Sequence, residues 1–253
     1  MPLLLLALLI TLGLALVLGL VLWYLKRKRR QRLAAESFRP RLRLSIEESE
    51  LFGLGAGSPN APYYLVLDTE TFDAIDPEMP QEAWSPSRIV ALSWQLTDRA
   101  GQAIKEESHT LRQAGTMQHE AVRIHGISNE QMQQGEAPLP VLHKLMQDLE
   151  EAEIVVAHNA WFHLSTLTAE LQAHGLDTST LEGKSYICTM EWGRDLGCKI
   201  GGDGRKLYPR LDELFGFLYF GRLAVPIRYR SKTLRDVRLV AACLRRMSLP
   251  VAE

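Results

Sequence analysis

Three short stretches of this chain carry side chains whose types and spacing could do chemistry together. The first is Asp68-Thr69-Glu70, just past the apolar run Tyr63 to Leu67. On an extended segment, side chains two residues apart point to one side, so the two carboxylates can share a hard cation. Acidic residues after strands are also common turn formers, so this pair says little by itself. The second stretch is Val155 to His163, where an apolar run passes through the polar turn His158-Asn159 towards a helix starting near Trp161. In open α/β sheets, the carboxyl end of a buried strand is where ligands bind. The third is Asp236, in the first turn of an expected final helix and beside a cluster of bases. Its plainer alternative is a favourable interaction with the helix N-terminus.

The segments between these residues must supply the frame. Tyr63 to Leu67 has the short, continuous apolar pattern of a buried strand. Ile89 to Leu96, the turn Arg99-Ala100-Gly101, and Ala103 to Leu111 predict a hairpin. Ser128 with Gln131 three residues later forms a capping box that opens a short helix. Val141, Leu142, Leu145 and Leu149 recur at helical spacing within Pro138 to Ala152, and Ile154 to Ala157 is a second buried strand. A helix over Trp161 to His174 ends at Gly175. Tyr186 to Cys188 reads as a further strand, followed by helices near Met190 to Leu196, Leu211 to Phe217 and Thr233 to Met247, with a Gly-rich turn after the first. A hairpin followed by alternating strands and helices predicts an α/β fold with a mixed sheet covered by helices.

Over residues 62 to 247 the pattern resembles the DnaQ-like, or DEDDh, 3′-to-5′ exonuclease family. Leu67-Asp68-Thr69-Glu70-Thr71 is similar to the first exonuclease motif. Ile124-His125-Gly126-Ile127-Ser128 is similar to the family's H-G-I-[ST] segment, and Ala157-His158-Asn159-Ala160-Trp161-Phe162 to the start of the second motif. Ile187-Cys188-Thr189 and Lys206-Leu207-Tyr208 followed by Leu211 also resemble family segments, in the family's order. The resemblance implies a ribonuclease H-like sheet and a site where four carboxylates hold two Mg²⁺ or Mn²⁺ ions while a His acts as general base. By position, Asp68, Glu70 and Asp236 are metal ligands, and Thr69, Thr71, His125, Asn159 and Phe162 lie where the substrate's 3′ end is held.

Two catalytic positions depart from that pattern. The fourth carboxylate should follow Phe162, but His163 stands there. One nitrogen lone pair replaces a charged two-oxygen ligand, so the second metal is expected to bind weakly. The general base should precede Asp236 by five residues, where this chain has Ser231, whose hydroxyl cannot take a proton near neutral pH as imidazole can. Lys232 occupies the position of the family's tyrosine variant, and Phe72-Asp73 replaces a frequent Thr-Gly continuation of the first motif.

The N-terminal residues point to a membrane. Pro2 to Leu25 holds no charge and is long enough to cross about 30 Å of hydrocarbon as a helix. Trp23 and Tyr24 lie at its end, and Lys26, Arg27, Lys28, Arg29, Arg30 and Arg32 follow immediately, an order that predicts a single-pass anchor with the rest of the chain in the cytoplasm. Residues 26–61 read as a basic juxtamembrane segment and tether, interrupted by Arg39-Pro40 and by Gly53, Gly55, Gly57 and Pro59. From residue 33 on, 23 Lys and Arg meet 30 Asp and Glu, so bulk charge does not draw polyanions. The bases from Arg222 to Arg246 are the local exception and could meet phosphates. Cys188, Cys198 and Cys243 are too few and too irregularly spaced for a disulfide framework or zinc site, so they read as packing residues.

These readings leave three functions open. One is a working exonuclease on DNA or RNA 3′ ends at the inner leaflet. Another is a pseudo-exonuclease that binds nucleic acid without cutting it, and the third is a membrane-held scaffold for a protein partner.

Overall fold

Two runs rich in β-branched and aromatic residues form the centre of the sheet, and helices cover it on both faces. The computed structural model describes residues 60–74, 88–221 and 233–248. Its strands and helices, in chain order, are β1 (Tyr64–Thr71), β2 (Ile89–Thr97), β3 (Ala103–Thr110), α1 (His119–His125), α2 (Asn129–Gln133), α3 (Pro138–Glu151), β4 (Ile154–Ala157), α4 (Ala160–Ala173), α5 (Ser179–Glu182), β5 (Ser185–Cys188), α6 (Thr189–Asp195), β6 (Lys199–Ile200), β7 (Lys206–Leu207), α7 (Leu211–Phe220) and α8 (Thr233–Ser248). The main sheet has the order β3-β2-β1-β4-β5. The pairs β1–β2 and β2–β3 are antiparallel, while β1–β4 and β4–β5 are parallel.

Strand periodicity sorts the core into two layers. Leu65, Leu67, Leu92, Trp94, Val155 and Ala157 join a cluster with Leu142, Leu145 and Leu149 of α3 and Leu167 and Leu171 of α4. On the opposite face, Val66 and Val156 pack against Val237, Val240, Ala241 and Leu244 of α8. Because β2 lies between these layers, all nine of its residues are buried, Ser93, Gln95 and Thr97 included. The hairpin turn holds through Asp98, whose Oδ1 accepts from Ala100 N and Gln102 N at 2.9 Å. Gly101 adopts φ +77, and a Cβ there would lie 2.4 Å from Arg245 Cγ, so both turn geometry and packing call for glycine.

Several expectations shift by local geometry. β1 continues to Thr71, so Asp68 and Glu70 lie inside the strand and not past its end. α4 begins at Ala160, and Gly175 stands one residue beyond its C-cap, where Leu176 N reaches Leu171 O and Gly175 N reaches Gln172 O. The Gly-rich turn folds into the small β6–β7 ribbon, and α7 runs on to Phe220. The Ser128–Gln131 capping box is present, Ser128 Oγ accepting from Gln131 N and Gln131 Oε1 from Ser128 N. All three cysteines are buried and free. The expected span Pro2 to Leu25, nearly all of the 26–61 tether, and Ser231 lie outside the described residues. Among those described, no helix is long and apolar enough to cross a membrane.

Candidate metal centre

Strand parity places the first two acids. Val66 packs against α8, so Asp68 and Glu70, two and four residues on, point to that same face. Asp236 meets them from the first turn of α8, whose start is tied to β2 by a 2.6 Å contact between Thr233 Oγ1 and Ser93 Oγ. One oxygen from each of the three carboxylates lies within 4.8 Å of the others. A register shift at Glu70/Thr71 adds a bulge beside the cluster, a device that re-aims side chains at the end of a ladder.

The cluster is electrostatically crowded. Asp68 is 7% exposed, and burial, followed by the charges of Glu70 and Asp236, raises its carboxyl well above the usual carboxylate range. A divalent cation would reverse that penalty. An all-oxygen donor set suits a hard ion that keeps water among its ligands, so these residues fit Mg²⁺ or Mn²⁺ chemistry.

His163 reaches the cluster from the opposite layer. The link is the turn between β4 and α4, where Asn159 takes φ +68, an uncommon conformation that Asn tolerates better than most residues. The Asn159 carbonyl accepts from Phe162 N and His163 N. His163 is thereby set so that its Nδ1 accepts the Thr69 backbone N–H at 3.1 Å and lies 2.9 Å from Thr69 Oγ1. An N–H donor at Nδ1 leaves the ring proton on Nε2, which faces Asp68 Oδ1 at 3.4 Å. The lone pair is therefore occupied by β1 and does not point at the carboxylates. Burial holds the ring down to about 3, and the neighbouring His158 acts in the same direction, so His163 is neutral at ordinary pH.

The remaining candidates divide between site and scaffold. Thr69 is buried against His163, and Thr71 Oγ1 donates to the Asp73 carbonyl at 2.9 Å. Phe162 packs edge-on to His163 with ring centroids 5.0 Å apart. His125 closes its own turn, Nδ1 accepting from Ile127 N at 3.0 Å. His158 fastens three segments, with Nδ1 3.1 Å from Thr189 Oγ1 and Nε2 3.1 Å from the Pro209 carbonyl. Desolvation lowers it to about 4.

Two members of the basic cluster are committed internally. Arg238 holds Glu106 through Nε at 2.9 Å and Nη2 at 2.7 Å, and Arg245 Nη1 donates to the Gly101 carbonyl at 3.0 Å. Sequence reasoning missed Glu170. This buried acid on α4 accepts from Ile89 N at 2.9 Å and Gln113 Nε2 at 3.0 Å, tying α4 to the bulged start of β2. An acid on the apolar face of a helical pattern was its only sequence signal.

No protein-family model matches the chain, and no curated protein matches it in sequence. Solved structures do match. One is E. coli Exonuclease I in complex with a dA16 oligonucleotide, at 16% identity and TM-score 0.57, covering 72% of this chain and 40% of that one. Another is the zinc-ion-bound E. coli Exonuclease I–single-stranded DNA complex, at 15% identity and TM-score 0.58, covering 74% and 40%. A third is a moderately thermophilic Exonuclease I from Methylocaldum szegediense, at 19% identity and TM-score 0.56, covering 73% and 40%. The chain thus shares its fold with part of such structures and spans about two fifths of their length.

Proposed function

We propose that this chain is a membrane-anchored, exonuclease-like protein that binds single-stranded nucleic acid 3′ ends through one divalent cation at Asp68, Glu70 and Asp236, and cleaves them slowly or not at all. One observation carries the reading: three carboxylates converge within 4.8 Å while the side chain at the fourth position turns its lone pair to the Thr69 N–H. A bound cation would neutralise the carboxylates and stabilise charge on a phosphodiester oxygen. Asp68, Glu70 and Asp236 would hold it, and His163, neutral with its proton on Nε2, fixes the end of β1 without adding a ligand. Ser231 at the base position supports slow cleavage, since loss of a general base typically lowers rates by about 10² to 10⁴-fold. The uncharged Pro2 to Leu25 segment followed by six bases supports anchoring with the domain on the cytoplasmic side.

The test pairs binding with cleavage. The natural protein is expected to bind Mn²⁺ with a stoichiometry near one, losing it on Asp68→Ala, and to degrade single-stranded oligonucleotides well below about 1 s⁻¹. His163→Asp combined with Ser231→His is expected to raise the rate far more than either change alone, because both groups act on one transition state. Rapid degradation by the natural protein that disappears in Asp68→Ala overturns the impaired-catalysis part. Absence of both Mn²⁺ and oligonucleotide binding overturns the whole reading. The anchor is tested separately: protease added outside intact cells should spare the domain.

A further inference from the structure

Asp68 and Glu70 are fixed relative to each other by β1, but Asp236 arrives on a separate element, so its reach depends on how α8 sits on the sheet. Towards β1 and β4 the helix rests on apolar contacts, with Val237, Val240, Ala241 and Leu244 against Val66 and Val156. Apolar burial is non-directional, so it does little to fix the rotation of a helix about its axis.

Hydrogen bonds to the β2–β3 hairpin supply the missing direction. Ser93 stands directly opposite Asp68 in the β1–β2 register, and its Oγ lies 2.6 Å from Thr233 Oγ1 and 2.9 Å from Ser108 Oγ. Further along, Glu106 of β3 accepts from Arg238 Nε at 2.9 Å and Nη2 at 2.7 Å, and Gln95 Nε2 donates to the same carboxylate at 3.1 Å. Arg245 closes the far end on the Gly101 carbonyl. The helix therefore follows β2 from Ser93 to the hairpin turn, with Asp236 between the first tie and the second.

The second tie acts as a lever. Residues two apart on a helix stand about 200° apart around its axis, so Asp236 and Arg238 leave α8 on opposite flanks, one towards β1 and the other towards β3. A rotation of about 20° would move a side-chain tip about 5 to 6 Å from the axis by about 2 Å. Ligand distances around a bound ion tolerate only about 0.2 Å. The two-bond fork of Arg238 on Glu106 opposes that rotation in a way a single contact cannot.

We propose that Thr233 and Arg238 are positioning residues that, through Ser93 and Glu106, set the rotation of α8 and so deliver Asp236 to a cation held with Asp68 and Glu70. This rests on the metal-binding reading above. The test titrates the full-length protein in detergent with Mn²⁺ alone, following the paramagnetic resonance signal of the free ion. Arg238→Ala is expected to weaken Mn²⁺ binding by roughly 10- to 100-fold, the usual effect of losing a group that orients a metal ligand. The sign is diagnostic, because removing a nearby positive charge would by charge alone tighten the binding of a cation. Arg238→Glu combined with Glu106→Arg should recover most of the affinity, and Thr233→Val, which keeps the shape and removes the hydroxyl, should weaken binding by a smaller factor. Lys144→Ala is the control: it breaks a 2.7 Å pair between α3 and Glu107 on the other face of the sheet and should leave Mn²⁺ affinity unchanged. If Arg238→Ala and Thr233→Val, with unchanged circular dichroism, both bind Mn²⁺ like the natural protein, the inference is overturned. It is also overturned if Lys144→Ala weakens binding as much as Arg238→Ala. If the natural protein binds no Mn²⁺, the underlying reading fails and the inference falls with it.

Discussion

Asp68 and Glu170 are both buried carboxylates, yet the protein treats them in opposite ways. Glu170 receives two N–H donors, one from the backbone of β2 and one from Gln113. Asp148 on α3 is handled alike, accepting from Trp94 Nε1 at 2.6 Å and Lys105 Nζ at 2.7 Å. Asp68 instead faces two other carboxylates and the edge of a neutral imidazole, and its carboxyl is pushed upward. A buried charge with donors is a fastener, whereas a buried charge among like charges is destabilising until a cation arrives. The difference separates structural from functional acids.

The largest expected effect is at the fasteners. Glu170→Ala leaves the Ile89 N–H without its acceptor and should lower unfolding free energy by about 3 kcal/mol, whereas Glu170→Gln should recover part of it, as read from urea denaturation. Equal, small losses at both substitutions would erase the contrast with Asp68.

Acidification probes the site from the histidine side. His158 and His163 have folded pKa values of about 4 and about 3, below the 6.5 of the free ring. Between those values the unfolded chain binds more protons, so this stabilisation is complete above pH 6.5 and is lost as pH falls. The expected loss is roughly 2 kcal/mol between about pH 6 and pH 5, and it should shrink in His163→Gln.

Asp68 has the opposite sign. Its raised pKa makes the folded state the better proton binder above 3.8, so in metal-free protein its contribution falls as pH rises from there towards the raised value. Asp68→Asn should therefore stabilise the metal-free protein by about 1 kcal/mol while abolishing stabilisation by Mn²⁺, both visible in thermal melts with and without the ion. A destabilised Asp68→Asn protein would place Asp68 with the fasteners. A further effect of similar size is expected at Arg238→Ala, which breaks a largely buried, two-bond pair with Glu106 and should cost about 1 kcal/mol.

The order of elements was legible in the residues themselves. Apolar runs, helical spacing in Val141 to Leu149, and the Ser128–Gln131 box all report on near neighbours, and the strands and helices expected from them are found. The D-x-E spacing likewise determined that Asp68 and Glu70 share a side. Short α1 and the β6–β7 ribbon were not legible, because a two-turn helix and two-residue strands leave too little periodicity to count.

What only the tertiary structure decided is the partner of each polar atom. Nothing local turns His163 Nδ1 towards Thr69, joins Asp236 to Asp68, or gives Arg238 to Glu106. Each of these contacts links segments far apart in sequence, brought together by the α3 and α4 layer on one side of the sheet and α8 on the other. Sequence determined which groups were available and which face of its strand or helix each would occupy. Packing decided which of them would meet, because a buried donor or acceptor must take whatever partner the opposing layer presents.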